Sequence, residues 1–197
     1  MDSKLLRSRS GKVMAVLAMV FSAIGVIALA TEPLTLLLAK VWIYIWFAYC
    51  AWLVFWNPSV RVSDSEVVVD NIFRTIRLNW SAIRRIDTKY SLSLETERGV
   101  YRAWAAPAPS RYASFLASKS EAQHLPESSF VGQGLVRPGD LTSSDSGVAA
   151  YVIRQNWERL RDLNQLDKKP AIESRLVPSR IVVFVVLSVA AVFGFTF

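Results

Sequence analysis

"IRLNWSAIRRID", residues 76–87, decides how this chain is read. Ile76, Leu78 and Trp80 alternate with Arg77 and Asn79, the period of a strand with one face buried. "WSAI" then breaks the alternation, and a second basic, β-branched run begins at Arg84 and Arg85. Only twenty residues before this stretch the chain reads "VWIYIWFAYCAWLVFW" (41–56), a run suited to lipid rather than water. A strand-rich module is therefore joined to segments that belong in a membrane.

The apolar excess is concentrated. The chain has 197 residues, 52% of them hydrophobic, and a mean hydropathy of +0.29. The excess falls in residues 13–30, 34–56 and 181–197, which leaves room for one small domain. The net charge of +7 has a pattern too. Residues 1–12 carry four Lys/Arg against one Asp, and 13–56 carry one of each sign. Residues 57–107 carry eight basic against six acidic, 108–147 three against four, and 148–180 seven against four. Positive charge thus flanks the apolar segments, with no basic stripe of the kind that binds nucleic acid. No nucleic-acid partner is expected.

Residues 13–30 are uncharged and just long enough to cross a hydrocarbon core of about 30 Å. Ala28-Leu29-Ala30 also fits a signal-peptidase site, and cleavage after Ala30 leaves the orientation of the rest unchanged. Thr31-Glu32-Pro33 reads as a tight turn with a capping hydroxyl before a second helix, 34–56. Lys40 interrupts that helix and is expected to snorkel to the headgroups. Small residues recur on the first helix (Ala15, Ala18, Ser22, Gly25) and on the third, 181–197 (Ser188, Ala191, Gly194). Bulky Trp46, Phe47, Tyr49 and Phe55 fill the second, so small faces against a bulky partner predict close packing. With Trp42 these bulky residues are also the candidate docking surface for another membrane protein. The Lys/Arg bias places the N-terminus and the strand-rich module in the cytoplasm and the C-terminus outside.

From residue 57 to 107 the pattern is short strands and tight turns: "SVRV", the turn Ser63-Asp64-Ser65-Glu66, "VVVDNIF", "IRLNW", then 86–96 and "VYRAWAAP". Glu97-Arg98-Gly99 is a hairpin turn whose glycine supplies a positive φ. The expectation is one sheet curled over a core, with Tyr101 and Trp104 of the last strand inside. Residues 108–147 read as a mostly irregular excursion with a short helix near 112–120. "SSDSG" then caps a helix over 148–166 whose stripe is Val148, Val152, Trp157, Leu160 and Leu163, followed by a linker, 167–180.

Two N-terminal membrane helices, a strand series containing Leu78, Trp80 and Ile83, and a closing helix "SGVAAYVIRQNWERL" resemble the bacterial PH-domain family of actinobacterial membrane proteins. That group includes the mycobacterial low-molecular-weight antigen 6 type. The resemblance implies a chain that is membrane α plus small β. It would comprise an N-terminal transmembrane hairpin (13–56), a PH-like antiparallel β-barrel closed by one C-terminal amphipathic helix (57–166), and a third transmembrane helix. Such domains serve as lipid binders, docking modules and scaffolds. Phosphoinositide-binding PH domains carry basic residues in the first hairpin loop; here that loop is Ser63-Asp64-Ser65-Glu66.

Catalytic chemistry has little to stand on. His124 is the single histidine and Cys50 the single cysteine, so no triad, disulfide or cysteine metal site is expected. "GQG" at residues 132–134 is not placed as a phosphate loop, and Asn79-Trp80-Ser81, a sequon, would lie in the cytoplasm. No cofactor and no enzyme activity are expected. The remaining constellation is Arg74, Arg77, Arg84 and Arg85, a candidate contact for anionic lipid or an acidic partner. The expected function is a membrane-anchored adaptor or scaffold. The alternatives are an accessory subunit or assembly factor of a larger respiratory or cell-envelope complex, and an anionic-lipid sensor.

Overall fold

The computed structural model describes residues 3–108, 130–131, 135–136, 144–166 and 169–196. The chain divides into two units, one of residues 1–8 with 58–175 and one of residues 9–57 with 176–197.

The second unit is helical: α1 (Arg9–Leu29), α2 (Leu34–Ala51), which runs on into a π-helical turn (Trp52–Trp56), and a last helix, α4 (Pro178–Thr196). Three helices, Arg9–Leu29, Leu34–Trp56 and Pro178–Thr196, are long and apolar enough to cross a membrane. α2 packs against both of the others. The small residues make this close approach. A Cβ on Gly25 would overlap the Tyr44 ring, and one on Gly194 would run into the Ala39 carbonyl. Phe21 meets Phe47 edge-on at 6.0 Å between ring centroids. Trp46 Nε1 donates to Ser188 Oγ (2.9 Å) and the Tyr49 hydroxyl to the Arg180 carbonyl (3.1 Å). Position 21 meets 47 and 25 meets 44, while 39 meets 194 and 49 meets 180, so both neighbours run antiparallel to α2. Thr31 caps the end of α1 through Oγ1 to the Ala28 carbonyl, not the start of α2, where Pro33 offers no side-chain cap.

The first unit contains two antiparallel sheets. β2 (Ser59–Val62), β3 (Glu66–Asp70) and β4 (Arg74–Asn79) pair in sequence order. The register sets Val60, Val69 and Ile76 side by side on the inner face, and Val62, Val67 and Leu78 beside them. The second sheet is β5 (Arg85–Asp87), β6 (Ser91–Thr96) and β7 (Gly99–Pro107), which supplies Leu92, Leu94, Ala103 and Ala105 to the same core. Gly99 has a φ of +133° after the Glu97-Arg98 turn, a conformation that L side chains rarely adopt. β8 (Phe130–Val131) and β9 (Leu135–Val136) form a separate two-stranded ribbon. The rest of the excursion, with the helix expected near 112–120, lies outside the described residues.

Two further strands come from segments that the sequence reads as basic tail and linker. β1 (Lys4–Leu6) pairs with β2, and β10 (Ile172–Leu176) joins the far edge beside β4, giving the order β1-β2-β3-β4-β10.

The expected closed barrel is not formed. After Leu78 and Asn79 the chain turns through a 3-10 segment (Trp80–Ala82), where Asn79 Oδ1 accepts from the Ala82 amide at 3.1 Å. That turn lifts β5 out of the first sheet, and β10 takes the place beside β4 instead. Across the other gap β7 packs against β2 and β3 without a backbone ladder. There the Asn71 side chain stands in for a strand: its Nδ2 donates to the Arg102 carbonyl and its Oδ1 accepts from the Trp104 amide, both at 2.9 Å. Asn71→Ala removes both bonds and is expected to cost about 1–2 kcal/mol, read from the denaturant midpoint of the full chain. An unchanged midpoint would mean that this side-chain bridge contributes nothing.

α3 (Asp145–Asp162) covers the core. Ser144 caps it as the sequence signal predicts, its Oγ accepting from the Gly147 amide at 2.9 Å, and Asp145 in the first turn accepts from Ser8 Oγ at 2.7 Å. The buried stripe is rotated from the expected one. Ala149, Ala150, Ile153 and Leu160 are inside, Val152 and Trp157 are partly covered, and Leu163 is 58% exposed. Small residues win the inward face because Ala149 and Ala150 can approach Ala103, Ala105 and Ala106 of β7 closely.

Candidate functional site

An open cleft of about 500 Å³ lies within the two-sheet unit, inside the usual range of roughly 300–1,000 Å³ for ligand sites. Three segments meet there. Asp64 and Ser65 come from the β2–β3 turn, Asn79, Trp80 and Ser81 from the end of β4, and Leu160, Asn164 and Gln165 from the end of α3. Each segment is held by bonds that follow from its sequence. Ser63 closes its turn by donating Oγ to the Glu66 carbonyl at 2.9 Å and accepting the Glu66 amide at 3.2 Å. Trp80 Nε1 donates to the Ser63 carbonyl (3.1 Å), tying the second segment to the first. Ser81 Oγ donates to the Leu166 carbonyl (2.6 Å), tying it to the third.

The end of α3 is a Schellman motif. The Gln165 amide donates to the Leu160 carbonyl (2.9 Å) and the Asn164 amide to the Arg161 carbonyl (3.0 Å). Asn164 takes φ +52°, the left-handed conformation that Asn tolerates better than most residues. The sequence reading ran this helix to residue 166 and so missed the cleft. The local signal was the Leu163-Asn164-Gln165 end itself.

Among the described residues Asp64 is the one charged residue lining the cleft, and it is bonded to Arg159 Nη2 at 3.0 Å. No Lys or Arg is among the described lining residues, but the Arg159 guanidinium stands beside Asp64.

The four arginines singled out in the sequence are all exposed but lie in two places. Arg74 and Arg77 belong to β4 in the five-stranded sheet. Arg85 opens β5 in the other sheet, with Arg84 just before it. Two of the four face carboxylates: Arg77 Nη1 is 3.9 Å from Glu66, and Arg84 is bonded to Glu97. Arg85 sits directly across from Glu95 in the β5–β6 register. Replacing Arg84 and Arg85 together by Ala is expected to shift stability by less than about 1 kcal/mol, because exposed ion pairs contribute little. Thermal unfolding of the double variant checks this, and a drop of several degrees would contradict it.

Of the candidate helix-docking residues, Trp46 and Tyr49 spend their polar atoms inside the bundle. Phe47 leans on Phe21 yet stays exposed, as do Trp42 and Phe55. Trp104, expected in the core, is 56% exposed. It lies on the outer face of β7, between inward-pointing Ala103 and Ala105, while Tyr101 packs partly against the core.

Two antiparallel sheets over one core with an amphipathic helix across it make the first unit a PH-like domain. Residues 57–117, about a third of the chain, match the family model described as "Bacterial PH domain". No curated protein and no solved structure matches the chain. A bacterial PH domain points to a protein-interaction or lipid-binding module.

Proposed function

We propose that this chain is a non-enzymatic adaptor. Its three apolar helices anchor the PH-like unit at the cytoplasmic face of the cell membrane, with the N-terminus on that side and the C-terminus outside. One observation carries the reading: α1 begins, α2 ends and α4 begins at the same end of the helical unit, as the antiparallel contacts show. At each of these three points the chain passes to a strand of the PH-like unit within two residues, at Leu6–Arg9, Trp56–Ser59 and Leu176–Pro178. Arg7, Arg9 and Lys12 lie by the first point and Arg175 and Arg180 by the third, which supports the cytoplasmic assignment. Confinement to a surface raises the effective concentration of the module, so a weak protein contact suffices.

A second reading, an accessory subunit of a larger membrane complex, is favoured by Trp42, Phe47 and Phe55, which keep large exposed ring areas. Gentle detergent extraction of the tagged chain, with identification of co-purifying proteins, tests the proposal. Partners that survive Trp42→Ala with Phe55→Ala support the adaptor; partners lost with that pair support the subunit. A lone chain carrying only lipid contradicts both.

A further inference from the structure

We propose that the end of the five-stranded sheet carrying the β3–β4 turn, with Arg74, Arg102 and Trp104 at its corner, is a contact surface for anionic lipid headgroups. This rests on the membrane anchor of the reading above and adds which part of the PH-like unit meets the lipid.

The corner is assembled by one residue. The Asn71 backbone amide donates to the Arg74 carbonyl at 2.8 Å, its Nδ2 donates to the Arg102 carbonyl, and its Oδ1 accepts from the Trp104 amide. Three side chains from two sheets are thereby gathered around a single turn. All three are exposed, Trp104 to 56%. Arg102 and Trp104 stand two residues apart on the outer face of β7. Neither the Arg74 nor the Arg102 guanidinium has an ion-pair or hydrogen-bond partner among the described residues. Ser93, not a carboxylate, lies across from Arg102, and Asp70 at the base of the turn accepts from Thr75 Oγ1 at 2.7 Å.

Topology puts this corner at the tethered end of the sheet. Leu6 pairs with Val60, Ser59 with Asp70, and Asp70 with Thr75. The Asn79 amide donates to the Ala171 carbonyl at 3.1 Å, so β10 starts beside the end of β4 and finishes beside its start. The last residues of β1 and β10, the first of β2 and the β3–β4 turn therefore share one end. Those three strand ends are the ones that continue into the apolar helices through at most two residues. Such a connection spans at most about 11 Å, and the headgroup layer is itself roughly 5–8 Å deep on each side of the hydrocarbon core. Covalent geometry alone holds the corner within reach of lipid.

The side chains suit that surface. A guanidinium takes a phosphate in two parallel hydrogen bonds, and an indole, apolar with one polar edge, settles at headgroup depth. An acidic protein would meet the same charges, but only the lipid surface is brought to this end by the chain itself.

The test labels the full chain with fluorotryptophan and reads it by fluorine NMR in nanodiscs of phosphatidylcholine and phosphatidylglycerol, doped with a lipid carrying a nitroxide at headgroup depth. Loss of one signal in Trp104→Phe assigns Trp104. That signal is expected to broaden, while the signal of Trp80, buried in the same unit, stays sharp. Arg74→Ser with Arg102→Ser should remove at least about half of the broadening, because each arginine at an anionic leaflet shifts the docked fraction roughly fivefold. An unchanged Trp80 shift shows that the double variant is folded. Broadening of Trp104 no greater than that of Trp80, or equal in pure phosphatidylcholine discs and in the double variant, overturns the proposal. A lipid-free Trp104 in a chain that still recovers partners from cells removes the contact and leaves the adaptor. A lipid-broadened Trp104 in a chain that recovers none leaves the contact and removes the adaptor.

Discussion

Trp80→Ala is expected to lower the stability of the PH-like unit by about 3–5 kcal/mol, the cost of truncating a buried large aromatic. Trp80 is 4% exposed and belongs to the core cluster with Leu78 and Ile83. It also opens the 3-10 turn that separates the two sheets, and its Nε1 bonds the Ser63 carbonyl across the β2–β3 turn. Alanine leaves a cavity and an unanswered carbonyl together. Trp80→Phe isolates the second loss: it keeps most of the ring volume and removes the donor, so about 1–2 kcal/mol is expected. Denaturant titration of the full chain in detergent, followed by far-UV circular dichroism, separates the three proteins. A loss below about 1 kcal/mol for Trp80→Ala would mean that this ring does not hold the sheets together.

Arg154→Ala is the second large effect, about 2–4 kcal/mol. Its side chain is only 2% exposed, in the middle of α3 among Ala150, Ile153 and the core. Nη2 donates to the Ile86 carbonyl of β5 at 3.1 Å, so this arginine fastens the closing helix to the three-stranded sheet. Truncation strips a bond from a strand carbonyl, worth roughly 1–3 kcal/mol when left unsatisfied, and removes a long aliphatic stem from the interior. Arg154→Met restores the stem but not the donor and should recover about half of the loss. Hydrogen exchange reads the same effect locally: amides of residues 85–87 should lose protection in both variants. Unchanged protection there would break the assigned link between α3 and β5.

Arg154 shows where the sequence stops being legible. In "YVIRQNW" an arginine beside Gln and Asn reads as a solvated face, and nothing local reveals the carbonyl waiting for it on β5. Of the expected stripe Val152, Trp157 and Leu160 do pack on the core, while Val148 and Leu163 give way to Ala149, Ala150 and Ile153: hydrophobicity ranks Val and Leu above Ala, whereas close packing on β7 favours Ala. What followed from a two-residue period was read correctly. Ile76, Leu78, Trp80 and Ile83 all lie in the core, but the run 86–96 is broken at residues 88–90 into β5 and β6, which pair antiparallel. β1 and β10 escaped because "KLL" and "IESRL" are short, charged edge strands whose pairing is settled by distant partners. The gap between the sheets hung on one asparagine, Asn71, which the sequence reads as part of the strand run "VVVDNIF" although β3 ends at Asp70. The cleft was harder still, since it joins residues 64–65, 79–81 and 160–165, which no single window contains.

The central claim is that the PH-like unit stands on the cytoplasmic side of a membrane crossed by all three apolar helices. Arg98, exposed in the two-residue turn between β6 and β7, is a suitable reporter site. In a chain with Cys50→Ala, so that no other thiol competes, Arg98→Cys can be probed with a membrane-impermeant maleimide in intact bacterial cells and again after lysis. The account predicts no labelling in intact cells and full labelling once the membrane is opened. Labelling of intact cells to the same extent as lysed ones would contradict it.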